Sequence, residues 1–252
     1  MVSAARLVSS GRLAIQPGAG VPPHAKSANV TTAAQVRVDI DATQSRMHIA
    51  IIGSGHIGGG LGRAWANKGH SITFGVRDTS DPDLKPLLDE TRAKAASIGE
   101  AARAAEVVAL AMPYGALDAV LDAVGDLAGK VVIDCTNAVV PGMKLKYGFT
   151  TSSAEELQKR IPKARVVKSF NAQGAENLAN PIYDGVQASN FFCGDDAAAR
   201  ATVKQLVADV GFEPIDVGPL ESARLVEPLM MLWMMSSKAL GTRDVAFKVL
   251  KR

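Results

Sequence analysis

Between Gly53 and Gly58 the chain reads Gly-Ser-Gly-His-Ile-Gly, with two more glycines, Gly59 and Gly60, directly after. A G-x-G-x-x-G spacing matters chemically only where a strand runs into a helix. There the first glycine allows a tight turn, the second lets backbone approach a pyrophosphate, and the third lets helix pack on strand. The unpaired N–H groups and partial positive charge of the helix start then face the phosphates. Here the motif follows "HIAII" and precedes "HIGGGLGRAWANKGH". Gly53, Ser54, Gly55, His56, Ile57 and Gly58 are therefore expected to form a dinucleotide phosphate loop, with His56, Gly59 and Gly60 in structural or backbone roles.

The next apolar run, "SITFGV", ends where such a fold selects its nucleotide. An NAD site places an acid there for the ribose 2′-hydroxyl. This chain has Gly75 and Val76 instead, then Arg77, with Thr79 and Ser80 close by. A guanidinium among hydroxyls suits a 2′-phosphate through charge-assisted, bidentate bonds, so the expected cofactor is NADP(H). The competing reading gives the ribose to Asp78 and leaves Arg77 as a solvated charge.

A second ligand in such a fold lies beyond the carboxyl ends of the strands. Those ends are Met112-Pro113-Tyr114, Cys135-Thr136-Asn137 and Ser169-Phe170-Asn171. No Ser-His-Asp set stands there, and His24, His48, His56 and His70 all come earlier in the chain. Lys168 reads as an edge or surface charge within its strand, and Glu176 as a solvated loop carboxylate. Transfer of hydride between two redox rings needs positioning more than proton transfer. Pro113, Asn137 and Asn171 are the expected lining of that gap. The apolar stretch "ARLVEPLMMLWMMSSKAL" would wall a flat ligand or pack as plain core or dimer surface. A reductase of a small imine or carbonyl compound would instead need a proton donor, for which Tyr114 and Asp134 are the candidates. A protein that senses NADP(H) without turnover is the third reading.

The elements that must position these residues alternate. Apolar runs at "HIAIIG", "SITFGV", "EVVALAMP", "KVVIDCTN" and "ARVVKSFN" are separated by helical segments. Continuous rather than alternating apolarity is what a parallel sheet covered on both faces requires. The β-α-β-α order predicts an α/β, Rossmann-like doubly wound parallel sheet over residues 47–170. A small C-terminal lobe, helical or α+β, is expected over 171–252, built from "SNFFCG", a helix in "DDAAARATVKQLVADVG", "FEPIDVG" and the apolar stretch. "DPDLKPLLDETRAKA" reads as one helix, and Ser97 with Glu100 as a capping box.

Bulk properties agree with an ordinary soluble globular protein of 252 residues, 47% hydrophobic and 21% charged. Two cysteines, Cys135 and Cys193, sit in apolar stretches, which suits a reducing compartment and gives no metal site. The net charge of +3 is carried by Arg6, Arg12, Lys26, Arg37 and Arg46 against Asp39 and Asp41. The rest of the chain is neutral, which excludes a charge-driven nucleic-acid or membrane partner. Residues 1–46, rich in Ala, Ser, Gly and Pro, read as a disordered extension, with an organelle transit peptide as the other reading. A cytoplasmic location is expected for the body.

The segments "IAIIGSGHIGGGLGRAWANKGHSITFGVRD", "VVKSFNAQGAENLAN" and "FFCGDDAAARATVKQLVADVGFEPIDVGPLESARLVEPL" resemble the NADPH:coenzyme F420 oxidoreductases. "VVKSFNAQ" and "FFCGDD" are also similar to the oxidoreductase domain of the STEAP metalloreductases. The resemblance covers Met47 to Arg252. It implies a Rossmann domain with a small C-terminal region, a homodimer, and hydride transfer between NADP(H) and a deazaflavin, coenzyme F420, or a flavin such as FMN or FAD. It assigns Ser54, Gly55, His56 and Ile57 to the phosphate loop, Arg77 to the 2′-phosphate, and Met112 and Pro113 to the turn beside the nicotinamide. Val76 departs from the pattern, standing where deazaflavin reductases have a serine on the 2′-phosphate.

Overall fold

The central strands of the sheet are buried on both sides, and that property decides the architecture. The computed structural model describes residues 46–252; the reading of the leading segment falls on residues 1–45, outside the described ones. The strands of the main sheet are β1 (His48–Ile52), β2 (Ser71–Val76), β3 (Lys94–Ser97), β4 (Val107–Leu110), β5 (Val131–Asp134), β6 (Arg165–Lys168), β7 (Ser189–Gly194) and β8 (Glu213–Asp216). They pair in the order β8-β7-β6-β5-β4-β1-β2-β3. Every neighbour pair from β3 to β6 is parallel, β7 runs antiparallel to β6, and β8 runs parallel to β7. This is the doubly wound order 3-2-1-4-5-6, in which the strand sequence reverses between β1 and β4 and opens a crevice at their carboxyl ends.

The helices are α1 (His56–Asn67), α2 (Lys85–Thr91), α3 (Ile98–Ala104), α4 (Leu117–Val124), α5 (Ser153–Arg160), α6 (Ala197–Val210) and α7 (Ala223–Leu240). Successive β1 residues serve opposite layers. Ile49 and Ile51 join Leu61 and Trp65 of α1 and Val203 and Leu206 of α6, whereas Ala50 and Ile52 join Ala101 of α3, Val120 of α4 and Leu157 of α5. Trp65 Nε1 donates to the Leu206 carbonyl at 2.9 Å and locks α1 to α6. Beside it the Met47 N–H donates to His70 Nδ1, so His70 Nε2 carries the proton offered to buried Asp209 at 3.0 Å.

Local chemistry explains the helix ends. Ser97 and Glu100 form the expected capping box on α3. Asp196 caps α6, and Gly211, at φ 106°, closes it in the left-handed region. Two expectations differ from the structure. Residues 94–97 are a strand, because Arg92 turns into the left-handed region at φ 53° and ends α2. Nothing in "KAAS" favours a strand; its ladder with β2 decides. The boundary expected at residue 170 falls inside one sheet: β7 and β8 extend it, and the described residues form one compact unit. No helix among the described residues is long and apolar enough to cross a membrane.

Candidate functional site

The three motif glycines sit in three different steric surroundings. Gly53 leaves β1 at φ 105°, and a Cβ there would lie 2.9 Å from the Ala111 carbonyl oxygen. A Cβ on Gly58 would lie 2.0 Å from the Gly53 carbonyl oxygen, so α1 sits as close to the turn as backbone permits. Gly55 is the opposite case: a Cβ there would meet no atom within 4 Å. It is the N-cap of α1, makes no side-chain cap, and has no acid in the first turn after it. The positive end of α1 therefore faces open space, as an anion site requires. Gly60 packs against Leu178, in line with the structural role expected of it. Met112 lies against Gly53, and Pro113 is exposed just after β4.

At the end of β2, Val76 is half-buried and Arg77 exposed. Asp78 is committed elsewhere: its Oδ1 accepts from the Ser80 N–H at 2.9 Å and the Ser80 hydroxyl at 2.6 Å. Those bonds hold its carboxyl below the usual range. A ribose hydroxyl would have to compete with them.

A cleft of about 450 Å³ opens beside the phosphate loop. His56 and Ile57 from α1, Asn137 after β5, Asn171 and Gln173 after β6, and Met230, Trp233 and Met234 of α7 line it. Asn137 Nδ2 donates to the Asn171 carbonyl at 2.9 Å, and Asn171 Nδ2 returns a bond to Asn137 Oδ1 at 3.2 Å. Phe170, buried against Trp65 with ring centroids 5.8 Å apart, adopts φ 58°. A non-glycine residue in that region signals a bend imposed by its surroundings, here one that turns the chain from β6 into the cleft. At the rim, Glu176 pairs with Arg243 at 2.7 Å, and the Arg243 guanidinium stacks 5.0 Å from the Trp233 ring centre. The chain after α7 closes this wall, since the Val245 carbonyl accepts from both Trp233 Nε1 and Asn177 Nδ2 at 2.8 Å.

The family model for the coenzyme F420-dependent NADP oxidoreductases matches residues 48–138. The F420-dependent NADP reductase of Methanothermobacter marburgensis is 30% identical over 203 residues, covering 74% of this chain and 90% of that protein. The chain belongs to this oxidoreductase family. A crystal structure of a putative F420-dependent NADP-reductase from Arthrobacter sp. FB24 is 32% identical with a TM-score of 0.75, covering 81% of this chain and all of that one. Rat metalloreductase STEAP3 is 33% identical over 189 residues, 73% of this chain. The oxidoreductase spans only 37% of the length of that relative.

Against this background the interior of the oxidoreductase corrects the sequence reading. Lys168 is no surface charge: it is fully buried. Its Nζ donates to Asp134 Oδ2 at 2.9 Å and to the Thr136 carbonyl, and it lies 3.3 Å from Glu227 Oε1. Burial opposes the ammonium, but the carboxylates of Asp134 and Glu227 prevail and hold its pKa above the ordinary lysine value. Glu227 in turn accepts from the Ser153 and Ala154 N–H groups at 2.9 and 3.1 Å, at the start of α5. Four elements, β5, β6, α5 and α7, thus meet at one ammonium. Asp134 is consequently no proton donor to the cleft, since Lys168 and Thr136 occupy its oxygens. Tyr114 is placed elsewhere, hydrogen-bonded to the Tyr147 hydroxyl at 3.3 Å in a separate cleft. Glu176 is ion-paired rather than simply solvated.

Of the residues expected to line the gap, the structure brings Asn137 and Asn171 together and leaves Pro113 outside the cleft lining. Sequence reasoning missed Gln173, Arg243 and the role of Glu227, whereas Trp233 lies in the apolar stretch expected to wall a ligand or pack as core. "SFNAQ" carried a signal for Gln173, being a polar residue just past a strand end. Glu227 had none, because its partner lies 59 positions earlier in the chain.

Proposed function

We propose that this NADP-linked oxidoreductase passes hydride between NADP(H) and the deazaflavin coenzyme F420. The observation that carries the reading is one continuous cleft, running from the amino end of α1 to the Asn137–Asn171 pair beneath the Met230, Trp233 and Met234 wall. The loop fits a dinucleotide, because Gly55 leaves open backbone where Gly53 and Gly58 are packed tight. Gly53, Ser54, Gly55, His56, Ile57 and Gly58 would hold the pyrophosphate, and Arg77 the 2′-phosphate. When bound, NADPH supplies a hydride that the deazaflavin takes up with one proton from solvent. The protein's own work is to orient and to exclude water: the linked amides fix the end of the cleft, and the α7 side chains offer an apolar face to a flat ring.

A flavin, FMN or FAD, is the second reading. The STEAP3 likeness and the "VVKSFNAQ" segment support it. The test follows the NADPH absorbance band with purified protein and, in parallel, coenzyme F420, FMN, FAD or no acceptor. Rapid oxidation with F420 alone is expected. Oxidation only with FMN or FAD transfers the assignment to a flavin, and silence with NADPH still bound ends the hydride-transfer reading.

We infer a homodimer as the working form, because α7 exposes Leu225, Leu232, Met235 and Leu240, each more than half accessible, an apolar row that a second copy would cover. Two free, buried cysteines support the cytoplasmic reading.

A further inference from the structure

Buried polar atoms are almost always hydrogen-bonded, and an unpaired one costs free energy until a partner arrives. Among the described residues lining the cleft, two side-chain atoms are buried without one: Asn171 Oδ1 and Gln173 Nε2. One is an acceptor, the other a donor, and they stand two residues apart.

The surrounding network sets both orientations. Asn171 Nδ2 donates to Asn137 Oδ1 at 3.2 Å and to the Val226 carbonyl at 3.0 Å, which turns Oδ1 away from those partners. For Gln173 the setting is a relay. The Ser169 hydroxyl donates to Asn190 Oδ1 at 3.0 Å, and Asn190 Nδ2 donates to Gln173 Oε1 at 3.0 Å. The amide of Gln173 is thereby held by its oxygen, and its Nε2 is the unspent end. Neighbouring Gly174 lets this segment close on Trp233, since a Cβ there would lie 2.8 Å from the indole.

We propose that Asn171 and Gln173 together read an amide edge of the bound ligand, an N–H onto Asn171 Oδ1 and the adjacent C=O onto Gln173 Nε2. Two molecules of the proposed reaction carry that edge: the carboxamide of the nicotinamide, and the pyrimidinedione of a deazaflavin or flavin. Only the second source rests on the hydride-transfer reading. Gln173 donates nothing to a reacting atom; it is a specificity-determining residue.

The experiment compares wild type and Gln173→Glu by calorimetric titration with NADPH, coenzyme F420 and FMN. Glutamate keeps an oxygen for Asn190 and replaces the free donor by an acceptor. Binding of the ligand that carries the edge is expected to weaken about tenfold or more, while the other class stays within about twofold; the buried carboxylate lowers the melting temperature without altering that selectivity. Analogues lacking the N–H identify the source independently. The 3-acetylpyridine analogue of NADPH or an N3-methyl flavin should bind wild type less well, on the same ligand that Gln173→Glu weakens. Unchanged binding of every ligand that wild type binds overturns the proposal. So does equal weakening of all ligands, which would mark Gln173 as merely structural. Loss of NADPH affinity in the variant, with no turnover of any acceptor by wild type, would end the hydride-transfer reading and leave the pair standing at the carboxamide.

Discussion

Replacing Lys168 by Met removes one ammonium from the junction of β5, β6, α5 and α7 and leaves Asp134 and Glu227, each at most 3% exposed, without a cation. Breaking a buried ion pair by deleting one partner costs about 3–5 kcal/mol, mostly through the uncompensated charge that remains. Here the lower end applies, because both carboxylates keep other donors: Thr136 for Asp134, and Ser153 with Ala154 at the α5 terminus for Glu227. At about 2–4 °C per kcal/mol for a unit of this size, the melting temperature should fall by roughly 6–12 °C. Thermal unfolding followed by circular dichroism measures it. Pairing Lys168→Met with Asp134→Asn removes one stranded charge and should recover part of the loss, so the two changes are non-additive. A Lys168→Met melt within about 2 °C of wild type would refute the reasoning, because an ammonium at the centre of two buried carboxylates cannot be lost at the cost of an exposed one.

Gly55→Ala should leave the melting temperature within about 2 °C of wild type while raising the NADPH Kd at least about tenfold, since its Cβ enters open space that the phosphates need. Gly58→Ala, whose Cβ would meet the Gly53 carbonyl oxygen at 2.0 Å, should lower stability and binding together. Arg77→Ala is expected to raise the NADPH KM by about 10- to 100-fold and leave the NADH KM nearly unchanged; an unchanged NADPH KM would return the ribose to Asp78. Hydrogen bonds from Arg243 hold the Glu176 carboxyl below its ordinary value of 4.5. A depressed folded value adds stability above the unfolded value that is lost as pH falls through the folded one. Tail docking should therefore loosen on acidification below 4.5, reported by Trp233 fluorescence, and Glu176→Gln should abolish that pH dependence. Light scattering should give twice the chain mass, and Leu232→Asp should give the single mass.

Most of the fold was legible because its signals are local. Continuous apolar runs, a glycine-bearing turn after the first of them, and caps at Ser97 and Asp196 each act within a few residues. β3 was illegible for the converse reason: "KAAS" has no strand preference, and only hydrogen bonds to β2, some 20 residues earlier, make it one. β7 and β8 read as strands, but whether they form a lobe or finish a sheet depends on the antiparallel contact of Cys193 with Lys168.

The sequence by itself determined the layered architecture and the glycine-bearing turn between β1 and α1, because each follows from chemistry within one turn or one strand. Only the tertiary structure decided which polar residues work and which support. It buried Lys168 between Asp134 and Glu227, drew Asp134 and Tyr114 away from the cleft, and left Asn171 and Gln173 facing into it. The physical reason is burial. A polar side chain's role is set by which partners remain once water is gone, and those partners come from strands and helices far apart in the chain.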